Sequence, residues 1–83
     1  MERGFERLRD TFAENTRRYR AARRLSQEQV AERACMDRAY VGATERGETN
    51  PTLRIMSQLA YALDTSVIRL LQEQQEDGER RDE

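Results

Sequence analysis

The stretch that decides the fold is Leu25-Ser26-Gln27-Glu28-Gln29-Val30-Ala31-Glu32-Arg33-Ala34, which Cys35-Met36-Asp37 separate from a second stretch, Arg38 to Arg46. Ser26 is a favourable N-cap because Glu28 and Gln29 follow it in the first turn of a helix. Asp37 holds the equivalent place before the second stretch and is expected to cap it in the same way. The pattern therefore predicts two short helices, over residues 27–34 and 38–46, with room between them only for a sharp turn.

Two short helices joined steeply by a three- or four-residue connection form the helix-turn-helix motif. In that motif the second helix enters the major groove of DNA. Sequence-specific DNA binding is therefore the leading hypothesis.

Further helices are predicted on either side of this pair. Apolar residues at helical spacing mark one stripe on a helix over about residues 5–23; they are Phe5, Leu8, Phe12 and Tyr19. Beyond Gly47, an expected C-cap, Thr52 should cap a fourth helix that ends near residue 63 or 64. Its apolar positions are Leu53, Met56, Leu59, Ala60 and Leu63. Ser66 should cap a short fifth helix, so the prediction is one all-α, five-helix domain over residues 1–71.

The fifth predicted helix has a larger apolar surface than one packing face requires. We expect Val67, Ile68 and Leu71 to form a homodimer interface, although a flap that completes the monomer core is the alternative. Pairing would help a chain of 83 residues, which is near the lower size for a self-sufficient core. Residues 72–83 contain no hydrophobic residue and are expected to be an acidic, disordered tail.

The residue types present argue against several classes of protein. The chain has no histidine and one cysteine, so a zinc site or a Cys-His nucleophile pair lacks ligands. No carboxylate lies with a nucleophile beside a glycine-rich phosphate loop. We therefore expect no enzyme, no cofactor, no metal and no small-molecule ligand. No apolar run approaches the roughly 18 residues that span a bilayer, and the amino end lacks a signal-like stretch, so a cytoplasmic protein is expected.

Charge is distributed unevenly along the chain, although its net value is -1. Residues 1–46 carry 11 arginines against eight acids, whereas residues 72–83 carry six acids and two arginines. All 15 basic residues are arginine, the side chain suited to bidentate contacts with phosphate and guanine. A GC-rich genome explains the same bias more simply, so arginine abundance alone does not decide the function.

Residues 12–71 resemble the XRE family of lambda-repressor-like helix-turn-helix regulators. The matching pieces, in order, are Arg17-Arg18-Tyr19-Arg20, Leu25 to Ala31, Asp37-Arg38-Ala39-Tyr40-Val41, Glu45-Arg46-Gly47, Asn50-Pro51-Thr52-Leu53 and Leu59-Ala60-Tyr61-Ala62-Leu63. Within the family, the chain is most similar to controller proteins of restriction-modification systems, both in Asp37-Arg38-Ala39-Tyr40 followed by Glu45-Arg46-Gly47 and in its small size. The resemblance implies a homodimer on a pseudo-palindromic operator in double-stranded DNA, with a second dimer joining at higher concentration.

The resemblance also assigns roles to residues. Base edges would be read by the start of the recognition helix; the candidates are Arg38, Ala39, Gly42 and Ala43. Arg38 is the expected guanine reader, because its guanidinium can donate to O6 and N7 together. Contacts to backbone phosphate would come from six further positions, which are Gln27, Tyr40, Arg46, Thr49, Asn50 and Thr52. Arg20 and Glu45 match a pair that joins the first helix to the third by a salt bridge.

Five residues depart from the family pattern. Thr16 and Thr44 stand where aliphatic or aromatic residues are usual, so the core should be poorer there unless each hydroxyl finds a backbone carbonyl. Arg24, Cys35 and Asp64 stand where glycine often ends a helix, so they carry mild strain if φ is positive there. Cys35 is expected to be half-buried and chemically quiet.

Other functions remain open at this point. A phage-type repressor shares the small size and the motifs. An antitoxin-like module would use the same fold to hold a protein partner, with DNA binding secondary.

Overall fold

A computed structural model describes residues 2–74, and their side chains from residue 4, as five helices with no strand in that range. The helices are α1 Glu2–Ala22, α2 Gln27–Ala34, α3 Arg38–Glu45, α4 Leu53–Ala62 and α5 Val67–Leu70. The predicted all-α, five-helix class is confirmed, and α1 begins three residues earlier than expected. Of the predicted tail, residues 75–83 lie outside the described residues.

Polar side chains begin three of the helices as expected. Ser26 accepts the Gln29 amide at 3.0 Å, and Gln29 Oε1 accepts the Ser26 amide at 2.8 Å, which completes a capping box. Thr52 and Ser66 each accept the amide three residues ahead at 3.1 Å. The expectation for Asp37 is wrong in part: it lies at the N-cap of α3, but its side chain makes no capping hydrogen bond.

The core lies where α2 packs against α3 and α4, and α1 and α5 close it from one side. Val30, Val41, Leu59 and Leu63 are fully buried there. Leu70, also fully buried, brings α5 into the same core. The inward sides of α2 and α3 are thus packed against the core.

The predicted apolar stripe of α1 is only half correct. Phe12 is buried and Tyr19 packs against the core, but Phe5 is 44% exposed and Leu8 51% exposed. Both precede the part of α1 that packs against α3 and α5, so the described residues leave them largely uncovered. Leu53, expected in the core, is 67% exposed because it opens α4 ahead of the turns that pack inward.

The five departures from the family pattern take three different forms. Thr16 meets the condition, since its hydroxyl donates to the Phe12 carbonyl at 2.7 Å, whereas the Thr44 hydroxyl pairs with the Thr49 hydroxyl at 2.9 Å rather than with a carbonyl. The other three are left-handed: Arg24, Cys35 and Asp64 each have φ of 58°. Cys35 is exposed rather than half-buried, since the left-handed turn at the end of α2 projects its side chain outward.

Asn15 connects α1 to the end of α5. Its side chain is buried, and its amide donates to the carbonyls of Leu70 at 2.9 Å and Gln72 at 2.7 Å. These carbonyls follow the last turn of a helix and lack partners within it. Asn15 therefore acts as a side-chain cap for α5 from a neighbouring helix.

Two general features of the chain bear on its class. Within residues 2–74, no helix combines the length and apolarity needed to cross a membrane. The same residues contain no cluster of three potential metal ligands.

Candidate nucleic-acid interface

The first turn of α3 presents exposed residues at its start. Arg38 and Ala39 are exposed at its start, while Val41, Thr44 and Glu45 face inward. The Arg38 guanidinium makes no hydrogen bond or ion pair with another described residue. An exposed guanidinium at the start of this helix has the donors to contact a base edge.

Glu45 anchors α3 from behind. This buried carboxylate accepts from Arg20 Nε at 2.6 Å, Arg20 Nη2 at 3.0 Å and Gln27 Nε2 at 3.0 Å. The ion pair expected between Arg20 and Glu45 is thus present, and it spans α1 and α3. The hydrogen bond to Glu45 raises the pKa of Arg20, and the attraction between the charges adds to this, whereas partial burial opposes it.

The side-chain contacts of Glu45 fix the position of α3 relative to α1 and α2. A buried carboxylate is costly unless its oxygens are paired, and removing one partner of such a pair typically costs about 3–5 kcal/mol. Arg20 comes from α1 and Gln27 from α2, so the orientation of α3 depends on both neighbours. Arg17, whose Nη1 donates to the Glu45 backbone carbonyl at 2.6 Å, adds a fourth contact.

Arg17 helps to position α3, a role that was not assigned to it from the sequence. It lies in the charged run Arg17-Arg18-Tyr19-Arg20 of α1. Its position three residues before Arg20, on the same side of α1, is the signal that could have placed it against α3.

Gly42 lies beneath two of the candidate phosphate contacts rather than at the surface. It is buried, and a β-carbon there would stand 3.3 Å from Gln27 Oε1 and 3.3 Å from Arg46 Nη1. The structure therefore does not present Gly42 to a base edge. Its lack of a side chain instead lets Gln27 and Arg46 lie close against α3. Ala43 is half-buried beside it.

The remaining candidate phosphate contacts surround α3, but several are already engaged. Arg46 donates to Glu48 from Nε at 3.0 Å and from Nη2 at 3.2 Å, and this hydrogen bonding raises the pKa of Arg46. Thr49 is half-buried against Thr44, and the Thr52 hydroxyl caps α4. Asn50 is exposed and Tyr40 is half-buried. Glu48 was missed from sequence, although an acid two residues from a predicted phosphate contact is a visible signal.

The predicted interface residues of α5 divide between core and surface. Val67 and Leu71 are half-buried against the core, whereas Ile68 is 69% exposed. Leu70 completes the core, as the flap alternative expected. Ile68 is left as the apolar residue of α5 that the described residues do not cover.

Comparison with known proteins gives consistent matches. A family profile described as helix-turn-helix matches residues 17–70. Control protein C.SmaI of Serratia marcescens is 48% identical over 67 residues, which are 81% of this chain and 80% of that protein.

Two crystal structures share the fold at high identity. The restriction-modification controller protein C.AhdI from Aeromonas hydrophila is 41% identical with a TM-score of 0.71, covering 74% of this chain and 92% of that one. The hypothetical transcription factor NHTF from Neisseria is 36% identical with a TM-score of 0.77, covering 88% and 80%. The chain therefore belongs to the XRE-type helix-turn-helix family of DNA-binding transcriptional regulators, in which its relatives include restriction-modification controller proteins.

Proposed function

We propose that this protein is a homodimeric, operator-binding controller of a restriction-modification system, acting in the cytoplasm on its own gene and on the endonuclease gene. The single observation that carries the proposal is the exposed Arg38 guanidinium, which no other residue of the range 2–74 engages, at the start of a helix that Glu45 holds against α1 and α2. Rigid presentation matters because a base contact is useful only in a fixed register. The 48% sequence identity to control protein C.SmaI over 67 residues supports the controller assignment.

Base reading belongs to the exposed side of α3. Arg38 reads a guanine, and Ala39 and Ala43 offer methyl groups to neighbouring bases. Gly42 supports the contact by making room for Gln27 and Arg46 rather than by touching a base. With so few direct readers, deformability of the operator supplies part of the specificity.

Contacts to phosphate set the register of each protomer. They come from Gln27, Tyr40, Arg46, Thr49 and Asn50, with the amides at the start of α4 near Thr52. Two protomers joined through Val67, Ile68 and Leu71 would place their α3 helices in successive major grooves, roughly 34–36 Å apart. One dimer at moderate concentration activates transcription, and a second dimer on the same operator represses it.

Replacing Arg38 tests the proposal directly. Arg38→Ala should lower affinity for the selected operator by about 1–3 kcal/mol and relax one base position in each half-site. The measurement is binding to operators selected from random duplex DNA, with scrambled duplex as competitor. Arg18→Ala is the matched control, because it removes the same charge from an exposed α1 residue paired with Glu14. Equal losses on cognate and scrambled DNA would reject base reading by Arg38.

A further inference from the structure

The amino-terminal turns of α1 carry an apolar pair that the described chain does not cover. Phe5 and Leu8 lie one turn apart and are 44% and 51% exposed. The Arg9 guanidinium stacks on one side of the Phe5 ring, 5.5 Å from its centroid, and leaves the rest open. Exposed Glu6, Arg7 and Asp10 surround the pair. An apolar centre with a polar rim is the usual composition of a protein interface.

This pair continues the side of α1 that meets α5. Leu8 lies one turn before Phe12, which is buried in the core, and Asn15 on the next turn binds the carbonyls that end α5. Arg7, beside Leu8, forms an ion pair with Glu73 just beyond α5. Phe5 and Leu8 therefore lie on the part of α1 that is next to the chain leaving the end of α5.

The size of α5 shows why a dimer needs more surface than that helix offers. A stable interface buries about 800 Å² on each partner and involves about 20–30 residues. The helix has four residues, and its apolar side chains other than Ile68 are already fully or half-buried. Among the described residues, the amino-terminal turns of α1 are an exposed apolar surface on a helix that contacts α5. The other large exposed apolar residues, Leu53 and Tyr61, belong to α4.

We propose that Phe5 and Leu8 form the second part of the dimer interface, packing on a second copy of this chain beside α5. The inference rests on the proposed homodimeric function and extends it to a segment that precedes the helix-turn-helix match at residues 17–70. In a two-fold dimer the same patch is used twice, so each side chain contributes to both halves of the interface. Phe5 and Leu8 would then influence the dimer dissociation constant without changing the residues that are proposed to contact DNA.

The test is the oligomeric state of the full chain, measured by sedimentation across a concentration series. The double variant Phe5→Ser, Leu8→Ser should raise the dimer dissociation constant by about tenfold or more. Tyr61→Ser is the matched control, because Tyr61 is exposed beside Arg33 and Asp64 on the α2 side of α4; it should leave the constant unchanged. Leu8→Glu alone should act in the same direction, so the test does not depend on one variant folding well.

Ile68→Glu separates this inference from the function on which it rests. If Ile68→Glu gives monomers while the double variant dimerises like the wild type, the α1 interface is overturned and the dimeric regulator stands. If both variants become monomers that still compete for a single half-site, the α1 interface is supported. A wild-type chain that stays monomeric on its selected operator would overturn both.

Discussion

Glu48 occupies a side chain that is proposed to bind DNA, because it forms an ion pair with Arg46. Arg46 is a proposed phosphate contact, yet its guanidinium is paired with Glu48 on the exposed surface. Binding a phosphate therefore requires Arg46 to exchange one anion for another. In the proposed complex, Glu48 would also place its own negative charge close to the DNA backbone.

Replacing Glu48 should strengthen binding to every sequence alike. Glu48→Gln removes the competing charge, and we expect affinity for cognate and scrambled duplex to rise by about two- to fivefold, the size expected for an exposed ion pair. Competition binding at two salt concentrations measures the effect, which high salt should reduce. Glu14→Gln, which frees Arg18 on α1, is the control with the same charge change. An equal gain in that control would mean that net charge, not Arg46, is responsible.

At the scale of helices, the two N-caps of the motif are unequal. Ser26 makes both hydrogen bonds of a capping box, whereas the Asp37 side chain makes none. Ser26→Ala should lower the free energy of unfolding by about 1 kcal/mol. Asp37→Ala should lower it by less, since only attraction to the amino end of α3 is lost. Urea unfolding of both variants checks the difference, and equal losses would contradict this account of the caps.

The helices and most caps could be predicted from sequence because they depend on local patterns. Ser26, Thr52 and Ser66 each precede a periodic apolar segment, and each caps the helix that follows. The outcome at Asp37 could not be read this way, since a side chain at an N-cap can turn to solvent without changing the pattern. Phe5 and Leu53 follow helical periodicity equally well, but burial depends on whether another helix reaches them, which is a tertiary property.

The candidate site was predicted only in part from the sequence. The pairing of Arg20 with Glu45 came from the family resemblance, and the structure contains it. Burial of Gly42 was missed because it depends on where two long side chains, Gln27 and Arg46, lie across α3. The base and phosphate contacts stay predictions, since they involve a partner that the chain alone does not contain.

At the scale of the whole molecule, Asn15 couples the body of the domain to the proposed dimer element. Its buried amide is shared among carbonyls at the end of α5, including Leu70 and Gln72. Without it those carbonyls would lose their donor inside the protein. The position of α5, and so of Ile68, thus depends on one side chain of α1.

Replacing Asn15 by leucine should loosen α5 selectively. Asn15→Leu keeps a similar volume but removes the donor, which should cost about 1–3 kcal/mol of unfolding free energy. Amide hydrogen exchange should then accelerate in residues 67–72 more than in α2 or α3, with weaker dimerisation as a consequence. Asn15→Gln, which keeps an amide, is the comparison. Uniform acceleration across all helices would instead indicate general destabilisation.

The three non-glycine residues with left-handed backbone lower the thermal stability of the protein below what glycine would allow at the same positions. Arg24, Cys35 and Asp64 each keep a β-carbon where φ is 58°, at a cost of about 1–2 kcal/mol apiece. Glycine would remove that cost and lose about 0.5–1 kcal/mol through the freedom it gains when unfolded. A chain with glycine at all three places should melt roughly 10 °C higher, by calorimetry, with operator preference unaltered. Substitutions at these three turns alone would therefore adapt the protein to a higher working temperature.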